Sequence, residues 1–371
     1  MSIPFVDLLA QHAEVADEVR AGLDEVFAAT AFVGGPAVSA FEADYAAYVG
    51  AAHCIGVANG TDALELALRA VGVRPGGEVI IPANTFIATA EAASRIGAVP
   101  VPVDVDPVHL LMDPAAVRAA VGPRTEAIVP VHLFGQVAPV EELGKIAADA
   151  GVPLIEDAAQ AQGARRNGRS AGTFGLAAGT SFYPGKNLGA AGDGGAVTTS
   201  DAQVARSVRV IAAHGSAHKY DHEVIGFNSR LDTVQAVVLA AKLRRLEAWN
   251  AGRRAAADRY AVLLDGVDAV QLPTTAEGNE DIWHLYVVQV EERDRVLAEL
   301  SAAGIGVGIH YPTPVHLTAA YADLGHGRGA FPVAEAAADR ILSLPMFPHL
   351  TSGQQEQVVE QLARSVARTA P

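Results

Sequence analysis

The sequence is poor in cysteine and in long hydrophobic runs, and each scarcity excludes a class of protein. Cys54 is the single cysteine among 371 residues, which excludes an intramolecular disulfide framework and a zinc site built from several cysteines. No stretch approaches the roughly 18 consecutive apolar residues that a membrane helix needs. The first residues include Asp7 and Glu14 and lack a basic segment, so a secretory signal is not expected. We therefore expect a cytoplasmic protein without a membrane partner.

Positive charge is scarce as well. The chain has 27 Lys and Arg against 42 Asp and Glu, which gives a formal net charge of −15. Such a chain repels nucleic-acid phosphates and anionic membranes on average, although one local pocket can still bind an anion. Half of the residues are hydrophobic, which excludes a disordered chain. The length exceeds what one core supports, and we expect a large domain over 1–250 and a small domain over 251–371.

The first part of the chain alternates between apolar runs and helical segments. Strands are predicted over 54–58, 78–83, 99–103, 127–133 and 153–155, and helices over 8–29, 38–49, 85–96 and 140–150. Apolar strands that alternate with helices of about three turns indicate an α/β fold with a mostly parallel sheet covered on both faces. After residue 250 the pieces are shorter and mixed.

Several common cofactor and metal signatures are missing. The chain has no G-x-G-x-x-G after its first strand, no phosphate-binding G-x-x-x-x-G-K-[ST] and no H-E-x-x-H. His214, His218 and His222 have the spacing of metal ligands on a helix, but Gly215 and Ser216 interrupt that helix. We expect no metal site.

Lys186 lies between a Pro-Gly turn and a glycine-rich run, in surroundings of low charge. Partial desolvation there would lower the pKa of the lysine and make a nucleophilic amine available for a Schiff base. The alternative is a surface lysine in a flexible loop, and this segment alone does not distinguish the two.

Asp157 follows an apolar strand, at the carboxyl end where open α/β sheets bind their ligands. A carboxylate there can keep a pyridine nitrogen protonated, which lets a pyridoxal ring accept electrons. The alternative is an aspartate that caps a helix.

The segment Asn59-Gly60-Thr61 forms a turn that opens a helix. The first N–H groups of a helix are unpaired, so Gly60 and Thr61 can bind a phosphate. The alternative is a plain N-cap by Thr61 or Asn59.

A phosphate site, a carboxylate and a lysine, in this order on an α/β sheet, together indicate pyridoxal phosphate (PLP) as the cofactor. Phe86 follows the next predicted strand and can stack on the ring, with a core position as the alternative.

With these residues in view, the chain resembles the DegT-type sugar-nucleotide aminotransferases, a family of fold-type I PLP enzymes. The resemblance spans most of the chain and rests on IPFVDL (3–8), ANGTDAL (58–64), ANTFIAT (83–89), IEDAAQAQGA (155–164), SFYPGKNLGAAGDGG (181–195), GFNSRLDTVQA (226–236), HYPTPVHL (310–317) and LSLPMFPHL (342–350). It implies a mostly parallel central sheet with helices on both faces and a smaller C-terminal α+β domain.

The resemblance also implies roles for individual residues. Lys186 would bind PLP as a Schiff base and move the proton between cofactor and substrate carbons. Asp157 would pair with the pyridine nitrogen, and Gln160 would contact the ring face or its phenolic oxygen. The phosphate would be bound by Gly60, Thr61 and Ser181, and the ring would stack on Phe86. Asn228 would reach the phosphate of the neighbouring subunit, which implies a homodimer with shared active sites.

The pattern over 214–232 and 310–317 is most similar to aminotransferases of dTDP-linked 3-keto-6-deoxyhexoses, in pathways for antibiotic or cell-surface amino sugars. Related enzymes act on a 3-keto UDP-uronic acid or on 4-keto sugars, and both remain alternatives. The resemblance implies L-glutamate as amino donor and pyridoxamine phosphate (PMP) as the form of the cofactor between the half reactions. The substrate-side candidates are Lys219, Tyr220, Arg230, His310 and Tyr311, for which packing or interface contacts are the alternative.

Two rival functions share the fold. Lys186 disfavours a PLP-dependent sugar dehydratase, because the relatives that resemble dehydratases have histidine at that position. A non-catalytic regulator is disfavoured by the complete set of Lys186, Asp157 and Gln160.

Overall fold

A computed structural model describes residues 2–218 and 220–367. Its α-helices are α1 (Leu8–Ala13), α2 (Ala16–Ala29), α3 (Pro36–Val49), α4 (Gly60–Ala70), α5 (Ile87–Arg95), α6 (Pro114–Ala120), α7 (Val140–Ala150), α8 (Ala202–Ala212), α9 (Thr233–Leu263), α10 (Arg293–Ala302), α11 (Pro332–Arg340) and α12 (Ser352–Ala367). Its strands are β1 (His53–Val57), β2 (Glu78–Pro82), β3 (Val99–Val103), β4 (Thr125–Ile128), β5 (Ile155–Asp157), β6 (Arg165–Arg166), β7 (Arg169–Ser170), β8 (Ala177–Ser181), β9 (Gly195–Thr199), β10 (Ser216–His218), β11 (Asp221–His222), β12 (Val270–Gln271), β13 (Asn279–Glu280), β14 (Tyr286–Val290) and β15 (Ile341–Leu344).

The central sheet has the strand order β3-β2-β4-β5-β8-β9-β1. Hydrogen-bonded pairing forms the groups β3-β2-β4 and β5-β8-β9-β1, and parallel bridges from Ile128 to Leu154 and from Val131 to Asp157 join them. β9 runs antiparallel to both of its neighbours, whereas the other pairs in this sheet are parallel. The mostly parallel sheet predicted from the sequence is therefore present.

Both faces of this sheet are covered, as the apolar character of its strands requires. Val79 and Ile81 of β2 point into a core shared with α4, α5 and α8. Ile80, between them, points into a second core that includes residues of α6 and α7. All three side chains are fully buried, because successive residues of a strand face opposite sides of the sheet.

A separate antiparallel sheet, β12-β14-β15, forms the centre of the C-terminal region. Its core includes residues of α10 and α12 and also Ile3 from the start of the chain. The long helix α9 connects the two regions, since Leu246 packs in a core beside the central sheet and Tyr260 packs in the C-terminal core. The predicted division at residue 250 thus falls inside α9, and we propose that the two domains meet along this helix.

None of the helices in residues 2–218 and 220–367 has the combination of length and apolarity that crossing a membrane requires.

The strand directions bring several loops to one edge of the central sheet. β1 and β8 are both antiparallel to β9, so they run in the same direction. β5, β4 and β2 also run in this direction, because β5 is parallel to β8, β4 to β5 and β2 to β4. The carboxyl ends of these strands carry Gly60, Phe86, Asp157 and Ser181. A ligand site at this edge follows from the topology.

Candidate active site

A cavity of about 1020 Å³ opens at this edge. Residues of the central sheet and of the C-terminal region both contribute to its wall. Nine residues predicted from the sequence line it: Gly60, Thr61, Phe86, Asp157, Gln160, Ser181, Lys186, His310 and Tyr311.

One end of the cavity is the N-terminus of α4. Asn59 is the N-cap residue, and its side-chain oxygen accepts a hydrogen bond of 2.8 Å from the backbone N–H of Asp62. The backbone N–H groups of Gly60 and Thr61 donate to no protein group in the described part of the chain. They are therefore available for an anion, which the helix dipole also favours.

Gly60 is needed here because Ser181 lies directly against it. A Cβ atom added at Gly60 would lie 2.6 Å from the Cβ and 3.1 Å from the Oγ of Ser181. The hydroxyl of Ser181 therefore joins the two free N–H groups, and the three predicted phosphate ligands form one cradle.

Asp157 lies at the end of β5 and is 5 % exposed. Its Oδ2 accepts a hydrogen bond of 2.7 Å from the Thr89 hydroxyl, and its Oδ1 accepts one of 3.1 Å from the Ala159 N–H. Burial raises the pKa of Asp157, while these two donors and the positive charge of Lys186 oppose the rise. The carboxylate is thus buried, hydrogen-bonded and at the cavity wall.

Lys186 is in the loop between β8 and β9, partly buried in the cavity wall. Burial lowers its pKa to about 8, and the negative charge of Asp157 works in the opposite direction. An appreciable fraction of the amine is therefore neutral near pH 7, as a nucleophile or general base requires.

Phe86, Tyr311 and Gln160 form an adjoining part of the wall. The rings of Phe86 and Tyr311 have centroids 5.1 Å apart, and Phe86 is half exposed instead of packed in a core. Gln160 accepts a 2.7 Å hydrogen bond from the Phe134 N–H and donates one of 3.0 Å to the Tyr311 hydroxyl. Because Tyr311 accepts from Gln160, its own proton is free for a ligand.

His310 lies next to Tyr311 in the cavity wall, with ring centroids 5.7 Å apart. Its ring stacks on Phe5, with centroids 5.5 Å apart, and its Nδ1 lies 2.9 Å from the buried Ser343 Oγ. Burial, together with the charge of Lys186, lowers the pKa of His310 to about 4. The ring is therefore neutral near pH 7 and acts as a hydrogen-bonding group without charge.

The other predicted residues do not reach this cavity within the chain. Tyr220 is 82 % exposed in the turn between β10 and β11, and Asn228 and Arg230 are exposed in the following loop. Lys219 lies outside the described residues. His214 and His222 belong to this hairpin region, where the backbone carbonyl of His214 lies 2.9 Å from His222 Nδ1.

No group of three or more His, Cys, Asp or Glu side chains among residues 2–218 and 220–367 is arranged to hold a metal ion.

Positive charge in the cavity is limited. Of the lysines and arginines that the structure describes, Lys186 and Arg95 line it. Arg95 makes ion pairs of 2.9 Å with both Asp62 and Glu65, so much of its charge is compensated. A strongly anionic ligand would need further positive charge from elsewhere.

Several polar cavity residues were not singled out from the sequence, among them Thr85, His284 and Arg95. Thr85 and the nearby Thr89 belong to the ANTFIAT segment, and their hydroxyl groups within this motif could have marked them as site residues. His284 interrupts an otherwise apolar and aromatic run, Ile282–Val288, and this polar residue in an apolar run could have marked it as a site residue.

The arrangement fits PLP on its own geometry. The cradle at Gly60 suits a phosphate, the buried Asp157 suits a pyridine nitrogen, and Lys186 supplies an amine. All three line one cavity.

Known proteins resemble the chain over nearly its full length. It is 49 % identical to the erythromycin biosynthesis sensory transduction protein EryC1 of Saccharopolyspora erythraea, with 98 % of this chain and 99 % of that protein covered. It is 45 % identical to the dTDP-3-amino-3,4,6-trideoxy-alpha-D-glucose transaminase of Streptomyces venezuelae, with coverage of 96 % and 94 %. It is 46 % identical to the UDP-N-acetyl-3-dehydro-alpha-D-glucosamine 3-aminotransferase of Acidithiobacillus ferrooxidans, with coverage of 99 % and 98 %.

Solved structures show the same fold. The crystal structure of S. venezuelae DesV matches with a TM-score of 0.96 at 44 % identity, over 98 % of both chains. NtdA from Bacillus subtilis, solved with bound cofactor PMP, matches with a TM-score of 0.92 at 30 % identity, over 99 % of this chain and 85 % of that one. The predicted fold-type I architecture and the predicted family are thus confirmed. Residues 13–363 match the model of the DegT/DnrJ/EryC1/StrS aminotransferase family, and the chain therefore belongs to that family.

Proposed function

We propose that this sugar-nucleotide aminotransferase transfers an amino group from L-glutamate to the C3 ketone of a dTDP-linked 6-deoxyhexose, with PLP as its cofactor. The observation that carries the proposal is the pairing of a lysine whose pKa is lowered to about 8 with a buried aspartate in one cavity. The relative NtdA, solved with PMP, supports the cofactor.

Bound PLP would supply an electron sink that stabilises negative charge on the adjacent substrate carbon. The residues of the chain would do the rest. Gly60, Thr61 and Ser181 would hold the phosphate, Phe86 would stack on the ring, and Gln160 would hold Tyr311 in position beside it. Asp157 would keep the ring nitrogen protonated through its negative charge.

Lys186 would act as general base and general acid. Its neutral amine would remove the proton from one carbon and return it to the other. Its lowered pKa suits that task, because a larger fraction of this amine is neutral near pH 7 than of an ordinary lysine.

The position of the ketone is supported by the names of the relatives. The S. venezuelae and A. ferrooxidans enzymes differ in nucleotide, dTDP against UDP, but both names place the amino group at C3. An amino group at C3 is therefore common to both names. The choice of dTDP as the nucleotide is supported by the resemblance of residues 214–232 and 310–317 and by the name of the S. venezuelae enzyme. A UDP-linked 3-keto sugar and a 4-keto sugar are the alternatives.

The cavity is large enough for the cofactor and a nucleotide sugar to bind together. Its volume of about 1020 Å³ is at the upper end of the roughly 300–1,000 Å³ that is common for small-molecule sites. Such a cavity leaves room for a nucleotide sugar beside the cofactor.

The homodimer with shared sites is part of the proposal. A diphosphate brings negative charge, whereas Arg95 is already paired with two carboxylates. Arg230 is exposed and outside its own chain's cavity, as are Asn228 and Tyr220. We propose that Asn228 serves the cofactor phosphate of the partner and that Arg230, Tyr220 and Lys219 serve the partner's sugar nucleotide. His310 and Tyr311 would contact the substrate from within the chain.

A regulator is the second candidate, because the relative from S. erythraea is named a sensory transduction protein. A protein that only binds PLP needs no proton-transfer base, so the lowered pKa of Lys186 favours the enzyme. The presence of lysine at position 186, where the resembling dehydratases have histidine, disfavours a sugar dehydratase.

The test is the absorbance spectrum of purified protein with PLP, before and after L-glutamate is added. We expect the visible band of the bound cofactor to disappear with glutamate, and to be absent in Lys186→Ala. Lys145→Ala, which changes an exposed lysine on α7, is the matched control and should behave as wild type. The glutamate-treated protein is then offered dTDP-3-keto, UDP-3-keto and dTDP-4-keto sugars, and amino-sugar product is measured by mass spectrometry.

Each outcome decides between functions. A band that Lys186→Ala retains would contradict the role of Lys186. A band that glutamate leaves unchanged would favour the regulator or the dehydratase, unless another amine bleaches it. Product from the UDP or 4-keto sugar alone would replace the proposed substrate and leave the aminotransferase intact.

A further inference from the structure

Two buried threonines lie behind Asp157. Thr85 and Thr89 are 2 % and 1 % exposed, and Thr85 also lines the cavity. The Thr89 Oγ1 is 2.7 Å from Asp157 Oδ2, and the two threonine Oγ1 atoms are 2.7 Å apart. The three side chains therefore form a continuous line of hydrogen bonds.

The direction of these hydrogen bonds follows from counting protons. An ionised carboxylate only accepts, so Thr89 must donate its single hydroxyl proton to Asp157. Thr89 then has none left for Thr85, and Thr85 must donate to Thr89. The line runs from Thr85 through Thr89 to Asp157, with each proton directed toward the carboxylate.

We propose that Thr85 and Thr89 are positioning residues that keep Asp157 ionised and oriented toward the ring nitrogen of the cofactor. This inference rests on the proposed function, because it assigns the ring nitrogen as the partner of Asp157. The hydroxyl line serves a charge that has little water around it, and a buried charge is retained only where donors replace the lost water.

The balance of effects on Asp157 agrees with this role. Burial is the largest effect and raises the pKa of Asp157, which favours the neutral acid. The hydrogen bond from Thr89 is the largest effect in the opposite direction, ahead of the Ala159 N–H and Lys186.

Thr85 has a separate task, which is to direct the proton of Thr89. The two hydroxyl oxygens are 2.7 Å apart, and if Thr89 donated its one proton to Thr85 it would have none for Asp157. When the Thr85 hydroxyl donates to the Thr89 oxygen, the Thr89 proton is left to point at Asp157. Loss of Thr85 should thus weaken the effect of Thr89 without removing it.

The test uses the holoenzyme with PLP labelled with ¹⁵N at the ring nitrogen. The ¹⁵N chemical shift reports directly whether that nitrogen is protonated. The variants are Thr89→Val, which removes the hydroxyl at constant shape, Thr85→Val, and Thr89→Ser, which restores a hydroxyl. Thr275→Val is the matched control, because Thr275 donates a 2.9 Å hydrogen bond to the buried Asp281, which does not line this cavity.

In Thr89→Val we expect the ¹⁵N signal to move toward the value of unprotonated pyridine, and in Thr85→Val to move less far in the same direction. Thr89→Ser and Thr275→Val should keep the wild-type signal. The loss of a hydrogen bond to a charged group corresponds to about a tenfold or greater change in the proton affinity of Asp157. We therefore expect kcat of the glutamate half reaction to fall about tenfold in Thr89→Val, with KM for glutamate nearly unchanged.

A folded Thr89→Val protein that binds PLP with a wild-type ¹⁵N signal would overturn the proposal. If Thr89→Val does not fold, Thr85→Val decides, and a wild-type signal there overturns it equally. A wild-type protein that binds no PLP would be detected first and would refute the proposed function together with this inference. A shifted signal in Thr275→Val would show that the effect is not specific to the line of hydroxyls.

Discussion

Asn187, the neighbour of Lys186 in the chain, holds the ring of His284, with Oδ1 3.1 Å from Nδ1. The Asn187 Nδ2 donates to the carbonyl oxygen of Ile282 at 3.1 Å and to Asn250 Oδ1 at 2.8 Å, so Oδ1 must be the acceptor. His284 therefore carries its proton on Nδ1, and its Nε2 is an acceptor.

This relationship predicts the tautomer of His284. Burial, foremost, and the charges of Lys186 and Arg253 lower the pKa of His284 well below its usual value, so the ring is neutral. We expect ¹⁵N NMR of histidine-labelled protein to show His284 as the neutral Nδ1–H tautomer near pH 7. A signal for the Nε2–H tautomer at this residue would contradict the assignment.

The same contact predicts the effect of Asn187→Leu. The substitution removes the partners of His284 and of two buried oxygen atoms, and it should lower the free energy of unfolding by about 1–3 kcal/mol. Urea unfolding measures this loss, and the Nδ1–H signal of His284 should disappear in the same protein. Unchanged stability together with an unchanged tautomer would contradict the prediction.

Much of the fold could be predicted from the sequence where local signals agree with the tertiary structure. The strand over 99–103 and the helix over 140–150 have the predicted bounds, and Pro139 and Gly151 directly flank the helix. The predicted helix over 8–29 is interrupted between α1 and α2 at Val15, which is buried against Val238 and Ala241. That interruption depends on a distant helix and has no local signal.

The strand predicted over 127–133 ends at Ile128, two residues before Pro130, which has no N–H to donate to a neighbouring strand. Phe134 has a φ of 62°, in the left-handed region that non-glycine residues rarely occupy, and its N–H donates to Gln160. A phenylalanine does not signal such a turn. In the site, the residues of the quoted motifs were predictable, whereas contacts such as Thr89–Asp157 and Asn187–His284 join positions 68 and 97 residues apart.

The lowered pKa of Lys186 predicts how PLP uptake depends on pH. Below about pH 8 the amine is mostly protonated and cannot attack the aldehyde of PLP, so the rate of uptake by cofactor-free protein should rise with a midpoint near 8. Asp157→Asn removes a negative charge that raises the pKa of Lys186, and the midpoint should move to lower pH. Stopped-flow absorbance at several pH values measures both midpoints, and a higher midpoint in the variant would be inconsistent with this electrostatic coupling.

The phosphate cradle predicts a steric effect at Gly60. In Gly60→Ala the new Cβ would lie 2.6 Å from the Cβ of Ser181 and push the hydroxyl out of place. We expect the affinity for PLP to fall by about tenfold or more, the cost of losing a charge-assisted hydrogen bond. Gly144→Ala, with open space around the new Cβ, is the control and should raise stability by about 1 kcal/mol with unchanged PLP affinity. Equal affinity in both variants would argue against the cradle.

The shared active site predicts complementation between two inactive proteins. Lys186→Ala and Arg230→Ala homodimers should each have little activity. When the two are unfolded together and refolded as a mixture, half of the dimers are mixed, and one site in each mixed dimer has both residues intact. Activity should therefore recover to about one quarter of wild type. A mixture as inactive as its components would contradict the proposal that Arg230 serves the partner's site.

Asp281, outside the cavity, predicts a pH dependence of stability. It is 5 % exposed, its Oδ2 accepts a hydrogen bond from Thr275, and its Oδ1 has no partner in the described part of the chain. Burial raises the pKa of Asp281 to about 7, so the folded protein binds a proton between about pH 4 and 7 that the unfolded chain does not. The free energy of unfolding should therefore fall as the pH rises through that range.

Asp281→Asn removes this titration and should raise the free energy of unfolding at pH 8 by about 1–3 kcal/mol, with little gain at pH 4. Urea unfolding at both pH values measures the difference. Asp17→Asn changes an almost fully exposed carboxylate and should leave the pH dependence as in wild type. If the stability of Asp281→Asn fell between pH 4 and 8 as steeply as that of wild type, the proton would have to be bound elsewhere.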